Sequence, residues 1–468
     1  MPDRNPQPGP LRAGAARVDI TPPAGTHLAG AVGMHRPARL TLDPLYARAL
    51  VLESGGRKLC FLALDVTIVT APYTARIRRQ ASERFGIEPD AIMVHATQTH
   101  SAPALGYFMV DEDFPSTPPE FEWVRGSEEA YGSFAVERSL EAIGLANALL
   151  QPVHVGVGSG VEGRCAFNRR AVRRDGTVAM PGPWEGPLGP TWIRYIEGPI
   201  DPELGVMCLR SDSLRMAAIL ANYACHPVHV YPKPFVSADW PGALCAELAR
   251  AHGAGCVPIV LNGACGNINP WPPFEPDYDR DHRTMGRRLA QAAGNVIESL
   301  AFTREAVLGW RVDHLKVPIR AVDPKELEWA RGVLDANPQP GWADEQQTSV
   351  GQDWMAAASI LSVHLMRQRQ EDLDYEIQAL RIGDAAFVGL PGEPFVECGL
   401  AIKLASPTYP TYVVHCASHY VGYIPTREAL SRGGHEVNTR YWAKLVPEAS
   451  DTIVAGATAS LRGLFRPE

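Results

Sequence analysis

Five short polar clusters in this 468-residue chain share one context: each follows an apolar run that reads as a buried strand, and each sits in a tight turn. They are Gln98 to Ser101 after IMVHAT, Cys225-His226-Pro227 after AAILANY, Asn262 to Pro270 after VPIVL, Gly392-Glu393-Pro394 after AAFVGL, and Ser418 to Tyr423 after TYVVHCA. Sites in α/β proteins assemble at strand ends, because a rigid sheet holds the loops there. His, Glu and Tyr converging from separate strand ends are what a hydrolytic metal site requires: imidazole and carboxylate ligands with one position left open for water.

Each cluster alone admits a plainer role. A lone His after a strand is more often a hydrogen-bonded structural residue. Glu393, in its Pro-Gly-Glu-Pro corner, could cap the following helix, and Tyr423 could belong to the core. Asp239, ahead of Trp240-Pro241, fits an N-cap as well as a catalytic acid, and His229 could line the site. Cys265 could be a nucleophile, but no base stands at a recognisable spacing.

The elements that must position these clusters can be read from punctuation and period. Two apolar runs between Leu50 and Leu64 flank the turn at Gly55-Gly56, which predicts a hairpin. Pro72 opens a helical stretch that Gly86 closes. Further strands are expected from Ala91, over Val153–Val161, Gly205–Leu209 and Met216–Tyr223, through CVPIVL, up to Arg381 and through AAFVGL. Further helices are expected at Tyr131–Leu150, Asp239–Gly253 and His282–Leu300. Residues 164–202, rich in Pro, Gly and Trp, read as a functional loop. Residues 324–372 read as two helices, a candidate lid, and Trp184, Trp192, Trp240 and Trp271 as candidate pocket walls. The expected architecture is α/β, with mixed β-sheets flanked by helices in a single large catalytic domain over residues 14–468.

Composition excludes some functions. The chain is 46% apolar and 21% charged, with a net charge of −8 and no basic stripe, so nucleic acid is not an expected partner. No run approaches the roughly 18 apolar residues that span a bilayer, so no membrane is expected either. The polar N-terminal stretch lacks an apolar signal region, and residues 1–13 read as a disordered arm. Nine scattered cysteines with no C-x-x-C pair suit reduced thiols. A cytoplasmic location and a small-molecule substrate are the expectation, and a homo-oligomer is compatible with it.

The chain resembles the neutral/alkaline, non-lysosomal ceramidase family from about Gly14 to Pro447. The matching stretches, in the family's order, are AARVDITPPAG, ALDVT at Asp65, ATQTHSAP, FNRRA, ANYACHPV, SADWPG, NGACGNINP, QALRIGDAAFVGLPGEPF, and HYVGYIPTREAL ahead of GGHE. The resemblance implies a zinc hydrolase of N-acyl amide bonds. It puts His226, Glu393 and Tyr423 on the family's metal ligands, His100 on the second His of its H-T-H-S-G-P motif, and Arg169 on the Arg of N-R-S-P, positioned for the oxyanion.

Three departures reshape that expectation. Gln98 replaces the first His of H-T-H; its carbonyl oxygen can ligate, though zinc prefers imidazole. Residues two apart on a strand share a face, so Gln98 and His100 should point into the site together, whereas His95 has the wrong parity. Asn267 and Asn269 replace an Asp and a Ser, and His435 replaces a Tyr near the oxyanion, where it could donate a hydrogen bond or protonate the leaving amine. The family's smaller β-rich domain and secretion signal are not matched, which argues for a soluble substrate other than ceramide. The expected enzyme is a zinc-dependent amide hydrolase. The alternatives are an ester, lactone or cyclic amide hydrolase on the same site, or a metal-poor binding homologue.

Overall fold

The computed structural model describes residues 8–115, 117–180, 192–275 and 279–465. The larger of its two main sheets contains β1 (Arg12–Asp19), β2 (Tyr46–Ser54), β3 (Arg57–Leu64), β4 (Ile92–Ala96), β5 (Gln151–Val161), β6 (Glu203–Ser211), β7 (Met216–Tyr223) and β8 (Val257–Asn262). Their order is β8-β7-β6-β5-β1-β2-β3-β4. Neighbours are antiparallel except at the two edges, where β8 runs parallel to β7 and β4 parallel to β3. The second sheet is β9 (Leu308–Pro318), β10 (Asp372–Ile382), β11 (Ala385–Gly389) and β12 (Thr411–Val414), with only β11 and β12 parallel. The sheets are mixed, as expected.

The two sheets face each other. Leu50, Leu52, Phe61, Ala63 and Leu220 of the first share a core with Leu380, Phe387, Tyr412 and Val414 of the second. The rings of Phe61 and Phe387 meet edge-on at 5.0 Å. Each fully buried side chain of this size contributes about 1.5–3 kcal/mol. Alternation along a strand sends the intervening residues outward: Val51, Leu62 and Leu64 pack under α1 (Ala71–Phe85) and α2 (Glu129–Ala148). Val206, Ile219 and Val260 pack under α3 (Asp239–His252) and α4 (His282–Ser299). The far face of the second sheet is covered by α7 (Val396–Ala405) and α8 (Ala449–Phe465), together with α6 (Gln352–Arg369). Burial on both faces explains why the strands read as continuous apolar runs.

Several boundaries fall where the residue chemistry put them. Pro72 lies in the first turn of α1, and Gly86 closes the helix at φ 65°, a left-handed conformation that glycine adopts at little cost. The expected arm is a correction. Gly9–Pro10 pairs with Glu305–Ala306, Leu11 is buried, and β1 begins at Arg12; residues 1–7 lie outside the described set. Part of the segment 164–202 is a small sheet of Ala171–Arg173, Val178–Ala179 and Ile193–Ile196. Residues 324–372 supply α5 (Pro324–Ala336) and α6, joined through Ala330, Ala357 and Ile360. Trp354, Val363 and Met366 of α6 sit in two of the main cores.

Candidate functional site

Asn262, the last residue of β8, ties the strand ends together. Its backbone N–H donates to His95 Nε2 of β4 at 3.0 Å, and its Nδ2 donates to the carbonyls of Thr97 and Cys225 at 3.1 and 3.0 Å. Its own carbonyl accepts from the His415 backbone at 3.1 Å, just past β12. The two edge strands of the large sheet and the last strand of the small one therefore end at one point. His95 bonds the His415 carbonyl through Nδ1 at 2.8 Å, so both of its ring nitrogens are used in holding the frame.

Around this frame Gln98, His100, Glu393, Tyr423 and His435 line one narrow pocket, with Tyr420 and Trp442. β4 stops at Ala96, so strand parity is not what aims Gln98 and His100. Gln98 takes φ 68°, and the turn delivers both side chains. Cys416 and Ser418, in the turn after β12, also hold positive φ, a strain of about 1–3 kcal/mol per residue. Gly30 presses on His100: a Cβ there would stand 2.8 Å from the ring. Glu393 pairs with Tyr423 in a short parallel ladder (Glu393–Pro394 with Tyr423–Ile424), which brings carboxylate and phenol to one side. Gly392, at φ 73°, allows that approach, since a Cβ would stand 2.5 Å from the Gly422 carbonyl.

His226 and Arg169 stand behind the wall of this pocket, reaching it through Glu393 and Tyr423. His226 Nδ1 faces the carbonyls of Cys265 and Ile268 at 2.7 and 3.1 Å, so Nδ1 carries the ring proton. Nε2 then points its lone pair at Glu393 Oε2, 2.9 Å away. A lone pair and a carboxylate repel unless a proton or a cation stands between them. Tyr420 donates to the other carboxylate oxygen at 2.7 Å. Burial works against ionisation of Glu393, but a positive charge at His226 (a second ring proton, on Nε2), the hydrogen bond from Tyr420 and the Arg169 charge hold its carboxyl well below the usual range. Burial, then the Glu393 charge, pushes the Tyr423 phenol well up, against the opposing pull of Arg169.

Arg169 stacks over the Tyr423 ring at 5.4 Å and donates to Glu436 at 2.8 Å and to Asn269 Oδ1 at 3.3 Å. The guanidinium also stands within hydrogen-bonding reach of the Tyr423 phenol, although Nη2 makes no bond of full geometry among the described residues. Arg170 donates to the second Glu436 oxygen at 2.7 Å. Burial opposes the charge on Glu436, but the two guanidiniums hold it at about 2. The His100 ring meets the His226 ring at 5.6 Å, and burial, reinforced by His226, lowers its pKa to about 3. Burial likewise lowers His435, which stacks on Trp442 at 5.9 Å and is edge-on to Tyr423. Burial thus favours the neutral ring of His435, the form suited to the hydrogen-bonding role expected of it.

The remaining candidates lie elsewhere. Asp239 is fully buried, accepting from Trp240 and Val230 backbone N–H groups and facing His229 Nδ1 at 2.8 Å; neither it nor His229 lines the pocket. Cys265 meets a base after all, with its sulfur 3.6 Å from His415 Nδ1, but burial raises the thiol pKa and the pair stands behind the pocket. Asn267 accepts from the Val396 N–H and donates to Glu397, so it anchors α7. Trp240 is core, Trp192 is 63% exposed, and Trp184 lies outside the described residues. The tryptophan at the pocket is Trp442.

Among the described residues no three His, Cys, Asp or Glu side chains form a ready metal shell. The site offers a different set: one imidazole lone pair, one carboxylate, one phenol and the Gln98 amide. The backbone carbonyls that fix the His226 tautomer are the outer support usual for a metal-binding imidazole; the 2.9 Å between Nε2 and Glu393 Oε2 is a hydrogen-bond length, so the two side chains would have to part slightly to share an ion.

No family model matches the chain, and neither does any curated protein. Two solved structures share its architecture. One is the neutral ceramidase from Pseudomonas aeruginosa, with TM-score 0.70 and 19% identity, covering 97% of this chain and 74% of that one. The other is a ceramidase complexed with C2, at the same TM-score and identity, covering 97% and 75%. The chain has a neutral ceramidase-like fold.

Proposed function

We propose that this protein hydrolyses an N-acyl amide bond of a small substrate, with water as co-substrate and a carboxylic acid and an amine as products. The observation that carries the reading is the buried His226–Glu393 pair, an imidazole 2.9 Å from a carboxylate, beside the Tyr423 phenol and the Arg169 guanidinium. His226, Glu393 and Tyr423, with the Gln98 oxygen, would hold one divalent cation, zinc by the family's precedent. When bound, such an ion acidifies a water and polarises a carbonyl.

The chain's own groups divide the remaining work. Arg169 offers Nη2 to the oxygen that gains charge as the carbonyl is attacked. One such donor is typically worth a factor of about 10² to 10³. His100, neutral and pinned by Gly30, offers a ring N–H on the same side. Tyr420 occupies one Glu393 oxygen and leaves the other for His226 and the cation. His435, neutral beside Tyr423, hydrogen-bonds the departing nitrogen.

The test is a panel of N-acyl amides and matched esters with His226→Ala and Glu393→Ala. Amide turnover by the wild type that both variants lose is expected. Turnover of esters alone would move the reading to the ester alternative.

A further inference from the structure

The catalytic pocket has a cavity volume of only about 50 Å³, space for little more than a water or an ion. A second cavity, of about 370 Å³, is large enough for a small organic molecule and shares one wall with it, the side chain of Tyr420. Whatever the narrow pocket cleaves has its body elsewhere, and this is the adjoining space.

The larger cavity is built for negative charge at one end. Lys444 lines it and is only 2% exposed. Its ammonium has a single acceptor among the described residues, the Tyr441 carbonyl at 2.8 Å, and lies 4.3 Å from the Tyr441 ring. Two of its three N–H donors are thus left over in a place where an unpaired charge is costly. The nearest acid is already satisfied: Asp111 accepts from both arms of Arg369, at 2.8 and 3.0 Å, and from Tyr441. Of the cavity's own acids, Glu112 faces Arg369 and Glu129 is bonded to Tyr73 and Ser133.

His419 supplies a second donor. Its Nδ1 accepts the Ala71 N–H at 2.9 Å, so the ring proton sits on Nε2, and burial holds the ring neutral with a pKa of about 4. Ala71 and Pro72, the first residues of α1, line the cavity; the Ala71 N–H is taken by His419, so the helix end adds only the field of its dipole.

We infer that this cavity seats a carboxylate of the substrate on Lys444 and His419, with the scissile amide held beyond Tyr420. The inference rests on the hydrolase reading above and narrows its substrate class to amides that carry a free carboxylate, such as N-acylated amino acids. Burial lowers the Lys444 ammonium to about 7, with Asp111 as the opposing charge, and a carboxylate seated beside it would favour the charged form.

The probes are hexanoate and hexan-1-ol, which contain no amide bond, titrated by calorimetry into the full chain. Hexanoate is expected to bind about tenfold more tightly, the difference to disappear in Lys444→Met and to persist in Lys444→Arg and Glu393→Ala. Equal binding of the two probes by the wild type overturns the inference even if Lys444→Met fails to fold. So does a preference that Glu393→Ala removes and Lys444→Met leaves, which would seat the carboxylate in the catalytic pocket. A preference for hexanoate with no amide turned over would keep this site and remove the hydrolase reading; turnover of neutral and carboxylate-bearing amides at equal kcat/KM would do the reverse.

Discussion

The backbone N–H of Asn262 donates to His95 Nε2 at 3.0 Å, joining the two edge strands of an eight-stranded sheet at their C-terminal ends. The loops that carry Gln98, His100, Tyr420 and Tyr423 leave this junction. Asn262→Ala leaves the carbonyls of Thr97 and Cys225 and the Cys225 N–H without this partner, at about 1–3 kcal/mol for each group left buried and unpaired. The thermal unfolding midpoint should fall by several degrees, read by circular dichroism, and hydrolysis should fall with it.

Acid should weaken the same junction. His95 accepts the Asn262 N–H, so it must be neutral in the fold, and burial lowers its pKa from 6.5 to about 4. The unfolded chain therefore binds the extra proton first. The stability this residue contributes is complete above about pH 6.5 and is lost as pH falls towards 4. His419 and His100 are shifted in the same direction by burial. Denaturant unfolding at pH 7 and pH 4.5 should show lower stability at the acid value, and a flat profile would contradict the assignment.

Tyr420 supports Glu393 through one hydrogen bond while its ring packs edge-on to Phe108 at 5.3 Å. Tyr420→Phe keeps the packing and removes only the bond, so the fold should be unchanged and kcat should drop about tenfold, in keeping with a charge-assisted hydrogen bond. Unaltered kcat would mean that Glu393 needs no such support.

Arg169→Ala removes the Nη2 donor and also leaves Asn269 and one Glu436 oxygen bare. The expected loss in kcat is about 10² to 10³, with substrate affinity less affected. Glu436→Gln, which keeps Arg169 but relaxes its grip, should lose less. The reverse ranking would make Glu436, not Arg169, the group that acts.

Much of the frame was legible because its signals are local. Gly55-Gly56, Pro72 and Gly86 mark a hairpin and a helix in the residues themselves, and apolar runs such as AAILANY are long enough to read as buried strands. β9 escaped because Arg311, Asp313, His314 and Lys316 interrupt it on both faces, leaving no alternation to read. α8 escaped because Ala, Thr and Gly dominate it, and only its packing on the second sheet reveals an apolar face. In the site, His226, Glu393 and Tyr423 announced themselves by following strands. Asn262 and Tyr420 fell inside strand-end clusters but nothing singled them out, nor Glu436: their importance is in what they touch, and a partner 27, 167 or 267 residues away leaves no local pattern. Trp442 at the pocket and Trp240 in the core show the same limit, since a tryptophan's surroundings are decided by tertiary packing.

The central claim is that His226 and Glu393 hold a divalent ion for amide hydrolysis. Elemental analysis of the purified protein, paired with N-acyl amide turnover before and after chelation, tests it most directly. Expected are about one zinc per chain, turnover lost on chelation and restored by added zinc, and neither ion nor turnover in Glu393→Ala. Full amide turnover by the metal-free protein would contradict it.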